Sequence, residues 1–113
     1  MHEFSITQSI LSIALEQAEL NNAKRITKIN ISIGELSGIV DDCVEFYFPF
    51  LSKDTIAAGA VLSFDRKPTR LHCRECDNTF SPDDIIWTCP ECRSQSIEII
   101  SGRECQINTI EVD

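Results

Sequence analysis

Four cysteines in two closely spaced pairs constrain the fold of this 113-residue chain more than any other feature. The first pair is Cys73 and Cys76, the second is Cys89 and Cys92, and two residues separate the cysteines in each pair. Thiolates at this spacing can close around one tetrahedral Zn²⁺ ion, with each pair on its own turn. Four protein ligands leave no open coordination position, so the sequence predicts a structural zinc site.

Two further features favour bound metal over disulfides. No apolar run approaches the length of a membrane span, and the first residues lack the basic and apolar regions of a secretory signal. We therefore expect a cytoplasmic protein with no membrane partner, in which the cysteines stay reduced.

Acidic residues dominate the charge of the chain, especially in its last third. The formal net charge is −8, and residues 71–113 contain nine Asp or Glu but three Lys or Arg. Phosphate binding needs a basic stripe, so this balance argues against a nucleic-acid partner. An acidic surface is compatible with binding metal cations or basic protein surfaces. Solubility by itself is an alternative explanation for the charge.

The hydrophobic pattern predicts a small α/β fold. Helical spacing of apolar residues marks a first helix, and alternation marks half-buried strands. The expected segments are a helix over residues 4–22, then strands over 27–33, 60–66 and 104–112. Because the last strand has nothing after it, we expect it to pair with the earlier strands, with a bulge where its alternation fails.

A second helix is expected to begin at Asp41 or Asp42, either of which suits the N-cap position. Pro49 lies within this helix and is expected to kink it or to end it early.

These expectations define two domains. A mixed β-sheet with two α-helices occupies residues 1–70 and is completed by the strand 103–113. A zinc-ribbon-like domain with the four cysteines, which we call the cysteine module, is inserted at residues 71–102. Its small core is expected to form from Phe80, Ile86 and Trp87.

The first three residues offer a second set of metal donors. Met1 supplies an α-amine, His2 an imidazole, and His2 and Glu3 two backbone amide nitrogens. A large second residue protects the initiator methionine from removal, which keeps the amine at Met1. Four nitrogens in near-planar reach suit Ni(II) or Cu(II) better than Zn²⁺ or Mg²⁺. A histidine at position two is also common by chance, so this pattern alone is a weak signal.

The sequence gives no strong evidence for a further metal ligand or for a catalytic site. His72 precedes the first zinc cysteine and is a candidate alternative ligand, but four thiolates already suffice. No catalytic triad, phosphate-binding glycine loop or paired-carboxylate motif is present, so we do not expect an enzyme.

Taken together, the motifs resemble those of a known family. They are the terminal Met-His-Glu, the strand end Ile33-Gly34-Glu35-Leu36-Ser37, the Thr55–Ala60 segment, the four-cysteine module and the closing strand. Over essentially its whole length the chain resembles the HypA/HybF family of nickel metallochaperones, which mature [NiFe]-hydrogenases.

The resemblance implies a transported Ni(II) ion and a structural Zn(II) ion. It places nickel on Met1, His2 and Glu3, with a nickel or partner contact at Asp41 or Asp42. It also implies three kinds of partner: a HypB-like maturation GTPase, the hydrogenase large-subunit precursor and, for some members, urease maturation proteins. The protein is expected to be a monomer or a weak, domain-swapped dimer.

Two alternatives stay open at this point. One is a zinc-ribbon adaptor without a nickel function, which the cysteine spacing permits. The other is a rubredoxin-like iron protein for electron transfer. Such iron sites usually have glycine directly after each cysteine pair, where this chain has Asp77 and Arg93.

Overall fold

The structure is a computed structural model that describes residues 2–82 and 87–113, with His2 described by its backbone alone. It contains two α-helices, one short 3₁₀ helix and two three-stranded sheets, which confirms the predicted α/β fold class. The elements in chain order are α1 (His2–Leu20), β1 (Ile26–Gly34), the 3₁₀ helix (Glu35–Ser37), α2 (Asp41–Ser52), β2 (Val61–Lys67), β3 (Arg70–Cys73), β4 (Thr79–Phe80), β5 (Ile97–Ser101) and β6 (Cys105–Val112).

The first sheet has the strand order β2-β1-β6. Strands β1 and β2 are parallel, and α2 lies between them in sequence, as a crossover connection requires. Strand β6 pairs antiparallel with β1 on its other side, although more than 70 residues separate them. The register shifts near Ile26 and between Asn30 and Ile31, so the closing strand carries the irregularity that its broken alternation predicts.

Both helices pack against this sheet and enclose its core. Strand β1 is central, and its isoleucines are essentially inaccessible to solvent. The buried core cluster consists of Ile10, Leu11, Ala14, Ala18, Ile26, Ile29, Ile31, Ile33, Ile39, Val44, Phe48 and Ala57. Leu62 and Phe64 of β2 and Ile107 and Ile110 of β6 pack against it while partly exposed. The two edge strands therefore extend the core without being covered themselves.

The second helix begins at Asp41, as predicted, but its cap differs from the sequence prediction. Its N-cap is Val40, which has extended backbone and no side-chain capping bond, so Asp41 and Asp42 belong to the first turn instead. Negative side chains in a first turn still favour the helix, because its N-terminus carries a partial positive charge. Pro49 does not end the helix, which continues to Ser52. Burial of Val44 and Phe48 holds the helix where the proline removes a hydrogen bond.

The second sheet, with strand order β4-β3-β5, carries the cysteine module. Leu71 is its fully buried hydrophobic residue, paired with Phe80 on one side and with Ile99 on the other. The core predicted from Phe80, Ile86 and Trp87 therefore lacks Leu71. Phe80 and Trp87 are half-buried, and Ile86 lies outside the described residues.

The two sheets meet at a narrow junction of backbone contacts. A Cβ atom on Gly34 would lie 2.1 Å from the carbonyl carbon of Gly102, so this close approach requires glycine. The amide of Gly34 donates to the carbonyl of Glu104 at 2.7 Å, and the amide of Leu36 donates to that of Gly102 at 2.6 Å.

A side chain completes the junction. The Glu35 carboxylate accepts hydrogen bonds from both the amide and the hydroxyl of Thr69, at 3.0 and 3.1 Å. Thr69 is buried, so this carboxylate replaces the water that would otherwise satisfy it. The molecule is elongated, with extents of 55 × 27 × 16 Å.

Neither helix in the described part of the chain combines the length and the apolar character that crossing a bilayer requires.

Candidate metal centre

The four cysteines of the module come together at one point. Cys73 ends β3, and all four Sγ atoms lie within 4.8 Å of one another. The Sγ atoms of Cys73 and Cys92 are 3.5 Å apart, as are those of Cys76 and Cys89. A zinc ion 2.3 Å from each sulfur requires sulfur separations of about 3.8 Å, whereas a disulfide requires about 2.05 Å. The arrangement therefore fits a tetrahedral metal.

Each cysteine pair lies on the same type of turn. The Asp77 amide donates to the Cys73 carbonyl at 2.9 Å, and the Arg93 amide donates to the Cys89 carbonyl at 2.9 Å. Asp77 and Arg93 both adopt left-handed backbone, with φ of 63° and 61°. These are the positions where rubredoxin-like turns usually have glycine. Their conformation is retained here without glycine, so the residue type does not separate zinc from iron.

The four cysteine thiols fall into two groups, one with a lowered pKa and one with a raised pKa. The backbone amide of Cys76 lowers the pKa of the Cys73 thiol. Burial raises the pKa of Cys89, but the amides of Cys92 and Glu91 outweigh it and bring the pKa to about 6. The first cysteine of each pair therefore loses its proton more readily than an ordinary cysteine.

The second cysteine of each pair holds its proton in the absence of metal. The Asn78 amide lowers the pKa of Cys76, but the hydrogen bond with Cys89 and burial raise it to about 12. The Ser94 amide lowers the pKa of Cys92, but the hydrogen bond with Cys73 and burial leave it raised. Metal binding to four thiolates must therefore release these protons.

Asn78 is a site residue that the sequence analysis missed. Its side-chain amide points at the Sγ of Cys89 at 3.9 Å, while its carbonyl accepts from the Cys73 amide at 2.9 Å. It thereby supports one cysteine from each pair. The signal available in the sequence was its position two residues after Cys76, where a turn returns to the metal.

His72 directly precedes Cys73 in the chain, and carboxylates occupy both of its ring nitrogens. Nδ1 lies 2.7 Å from the Glu98 carboxylate and Nε2 lies 3.1 Å from that of Asp77. The Arg74 guanidinium also bonds Glu98, at 3.2 Å. The hydrogen bonds from His72 and Arg74 hold the pKa of Glu98 below its usual value. The ring therefore takes part in a surface network on the second sheet.

Of the predicted nickel donors, the structure describes the backbone of His2 and all of Glu3, which lie in the first turn of α1. Met1 and the side chain of His2 lie outside the described part of the structure. Glu3 is described, and its carboxylate accepts a hydrogen bond from the Val40 amide at 3.3 Å. Val40 directly precedes α2, so the first turn of α1 lies beside the first turn of α2.

The two candidate aspartates have different surroundings. Asp41 is half-buried, and its carboxylate lies 3.3 Å from the Arg66 guanidinium. Asp42 is exposed and makes no ion pair within residues 2–82 and 87–113. A carboxylate already paired with arginine is a poorer metal ligand, because the metal must displace that charge. Of the two carboxylates, that of Asp41 is therefore the one already paired with a cation.

Sequence comparisons identify relatives along the whole chain. A sequence model of the HypA family, described as hydrogenase/urease nickel incorporation metallochaperone, matches residues 1–112. A hydrogenase maturation factor HypA from Dehalococcoides mccartyi strain CBDB1 is 45% identical over 113 residues, which is all of this chain and 95% of that protein. The HypA factor of Caldanaerobacter subterraneus subsp. tengcongensis is 39% identical, with both chains fully covered.

Solved structures agree with these relatives. A solution structure of a HypA protein superposes with a TM-score of 0.79 at 25% identity, covering 99% of this chain and 96% of that one. The solution structure of the nickel metallochaperone HypA from Helicobacter pylori has a TM-score of 0.70 at 23% identity, over 97% and 96% of the two chains, and shows the shared fold. By sequence along its whole length, this chain belongs to the HypA family of hydrogenase/urease nickel-incorporation metallochaperones.

Proposed function

We propose that this chain is a non-enzymatic nickel carrier. It binds Ni(II) at its amino terminus and passes the ion, together with a HypB-like GTPase, to the large-subunit precursor of a [NiFe]-hydrogenase. The observation that carries this proposal is the family match over residues 1–112. Urease maturation proteins are a second class of client, since the family description names both enzymes. Delivery takes place in the cytoplasm, where the cysteines remain thiols.

The proposed nickel ligands are the Met1 amine, the His2 imidazole and the amide nitrogens of His2 and Glu3. The start of α1 supports this set, because the first amides of a helix have no carbonyl partner within the helix. Helix N-termini carry partial positive charge, which disfavours a cation. The carboxylates of Glu3 and Asp42 offset that charge, and Asp42 is the proposed contact for nickel or the partner.

Nickel titration by calorimetry tests the amino-terminal site. We expect His2→Ala to abolish high-affinity binding and Asp42→Asn to weaken it, while Asp41→Asn has a smaller effect because Arg66 already occupies that carboxylate. X-ray absorption at the nickel edge should report nitrogen donors. Unchanged affinity and stoichiometry in His2→Ala would refute the site.

We propose that the four cysteines hold a structural Zn(II) ion within the domain 71–102, and that residues 1–70 with strand 103–113 form the nickel-binding domain. The sulfur separations and the absence of a fifth donor group among the described residues support a closed site. Metal analysis should find one zinc per chain in colourless protein. Red, redox-active protein would indicate iron instead.

A further inference from the structure

An exposed aromatic ridge on the helices has no part in the core or in the proposed nickel site. Phe46 is 64% exposed and Phe50 is 70% exposed, and their ring centroids lie 5.6 Å apart. Phe46 also contacts Tyr47, which contacts Phe4 on α1. These four side chains, which we call the aromatic ridge, run from the first turn of α1 to the last turn of α2. Adjacent exposed rings of this kind mark binding surfaces more often than single exposed residues do.

A shallow groove of about 200 Å³ lies between α2 and β2, and its lining includes Glu45, the chain neighbour of Phe46, and Pro49, the chain neighbour of Phe50. Glu45 and Pro49 line it from the helix, and Val61, which is 60% exposed, lines it from the edge strand. Pro49 has no amide hydrogen, so the Glu45 carbonyl receives no helical hydrogen bond. The groove therefore combines apolar walls with a backbone acceptor and a carboxylate.

The helices that carry the ridge have acidic but no basic side chains, and Arg66 of β2 pairs with Asp41 at the start of α2. Helices α1 and α2 contain no Lys or Arg, and the first cation after α2 is Lys53. Their acidic residues are Glu3, Glu16, Glu19, Asp41, Asp42 and Glu45. Asp42 lies one turn before Phe46, and Glu45 is its neighbour in the chain; both acidic side chains are exposed. The surface thus combines two exposed apolar rings, Phe46 and Phe50, with neighbouring carboxylates that accept hydrogen bonds.

We propose that the aromatic ridge and its groove dock a basic amphipathic helical segment of a partner protein. Its apolar face covers Phe46 and Phe50, and its Lys or Arg side chains meet Glu45 and Asp42. A second copy of this chain would instead bring carboxylates against carboxylates. The proposal rests on the proposed carrier function, because a carrier must present its metal to a partner, and Phe4 lies two residues after His2.

The test is binding of two synthetic amphipathic helices that share one leucine face, bordered by Lys and Arg in one peptide and by Glu in the other. We expect this chain to bind the basic peptide at least about tenfold more tightly than the acidic one, with affinity that falls as salt rises. The double variant Phe46→Ser, Phe50→Ser should weaken binding of the basic peptide about tenfold or more, as for central aromatic contacts. Both rings are exposed, so the fold should be unaffected.

Matched variants separate the surface from general effects. Leu20→Ser removes an equally exposed apolar residue at the end of α1 and should leave binding unchanged. Glu45→Gln should weaken the basic peptide about twofold to fivefold at low salt, while Glu19→Gln should not. Failure to bind either peptide, or equal affinity for both, would overturn the proposal. A dimer that dissociates in the double variant would identify a second copy as the occupant.

Nickel titration of the same variants distinguishes this proposal from the carrier function. The Phe46→Ser, Phe50→Ser variant should bind nickel as the wild type does, and His2→Ala should still bind the basic peptide. Loss of nickel binding in His2→Ala without any peptide binding would leave the carrier function standing and refute the docking surface.

Discussion

The helical region and the cysteine module are held together by different forces. The core of the first sheet contains twelve buried residues, most of them large and apolar. In the module, the fully buried apolar groups among the described residues are Leu71 and the sulfurs of Cys73 and Cys89. Domains of about 40 residues or fewer seldom bury enough surface to fold alone without a metal or disulfide. The comparison implies that the helical region folds by hydrophobic burial and that the module folds by binding its metal.

This chain contains one reporter for each region. Its single tryptophan, Trp87, lies in the module, whereas both helices lie in the other region. Tryptophan fluorescence therefore follows the module, and far-ultraviolet circular dichroism follows the helices.

Metal removal should have the largest effect. Chelation, or Cys73→Ser, is expected to unfold the module, because comparable structural zinc sites contribute apparent binding free energies of about 10–16 kcal/mol. The fluorescence of Trp87 should shift to longer wavelength while the helical signal is retained. Cys43→Ser, outside the sulfur cluster, is the control. Simultaneous loss of the helical signal would show that the two regions fold as one unit.

A core deletion should destabilise the other region selectively. Ile31 is 1% exposed in the central strand, and Ile31→Ala should lower the free energy of unfolding by about 2–5 kcal/mol through lost burial and a residual cavity. Thermal denaturation followed by far-ultraviolet circular dichroism measures this change in stability. Ile100→Ala, at a half-exposed position on β5, should change it by less than about 0.5 kcal/mol. Equal effects would contradict the assignment of the core.

The junction should respond to a single methyl group. Gly34→Ala places a Cβ 2.1 Å from the Gly102 backbone, so the strands must move apart, at a cost of about 1–3 kcal/mol. Residual dipolar couplings should show a changed angle between the sheets. Gly38→Ala is the control. A Cβ at this position would have nothing within 4 Å, so the backbone strain at its positive φ should leave the angle between the sheets unchanged. An unchanged angle in Gly34→Ala would mean that the close approach does not set the orientation.

Removing the Glu98 carboxylate should produce the smallest effect, confined to the module. The folded-state pKa of Glu98 is lowered by His72 and Arg74, so its contribution is present above the unfolded value near 4.5 and is lost as pH falls through the lower folded value. Glu98→Gln should therefore be less stable than the wild type near neutral pH, and the difference should vanish in acid. Denaturant titrations followed by Trp87 fluorescence at several pH values measure this. A difference that grows in acid would have the wrong sign.

Local patterns predicted most of the elements of this fold. Helical and alternating periodicities located α1, β1, β2 and β6 to within about two residues, because burial on one face repeats at the period of each element. The N-cap of α2 was harder to predict. Val40 occupies that position without a side-chain hydrogen bond, so no typical capping residue marks it in the sequence. Pro49 did not end the helix early, because the buried face outweighs the hydrogen bond that the proline removes.

The sequence by itself determined the grouping of the four cysteines, since each pair needs only a local turn, and it determined the family through motifs spread along the whole chain. The tertiary structure decided the rest. Contact between Glu3 and Val40 joins residues 37 apart, and the approach of Gly34 to Gly102 joins residues further apart still. The exposure of Phe46 and Phe50 likewise depends on which side of α2 faces the sheet. Such features follow from packing between distant segments, which no local pattern encodes.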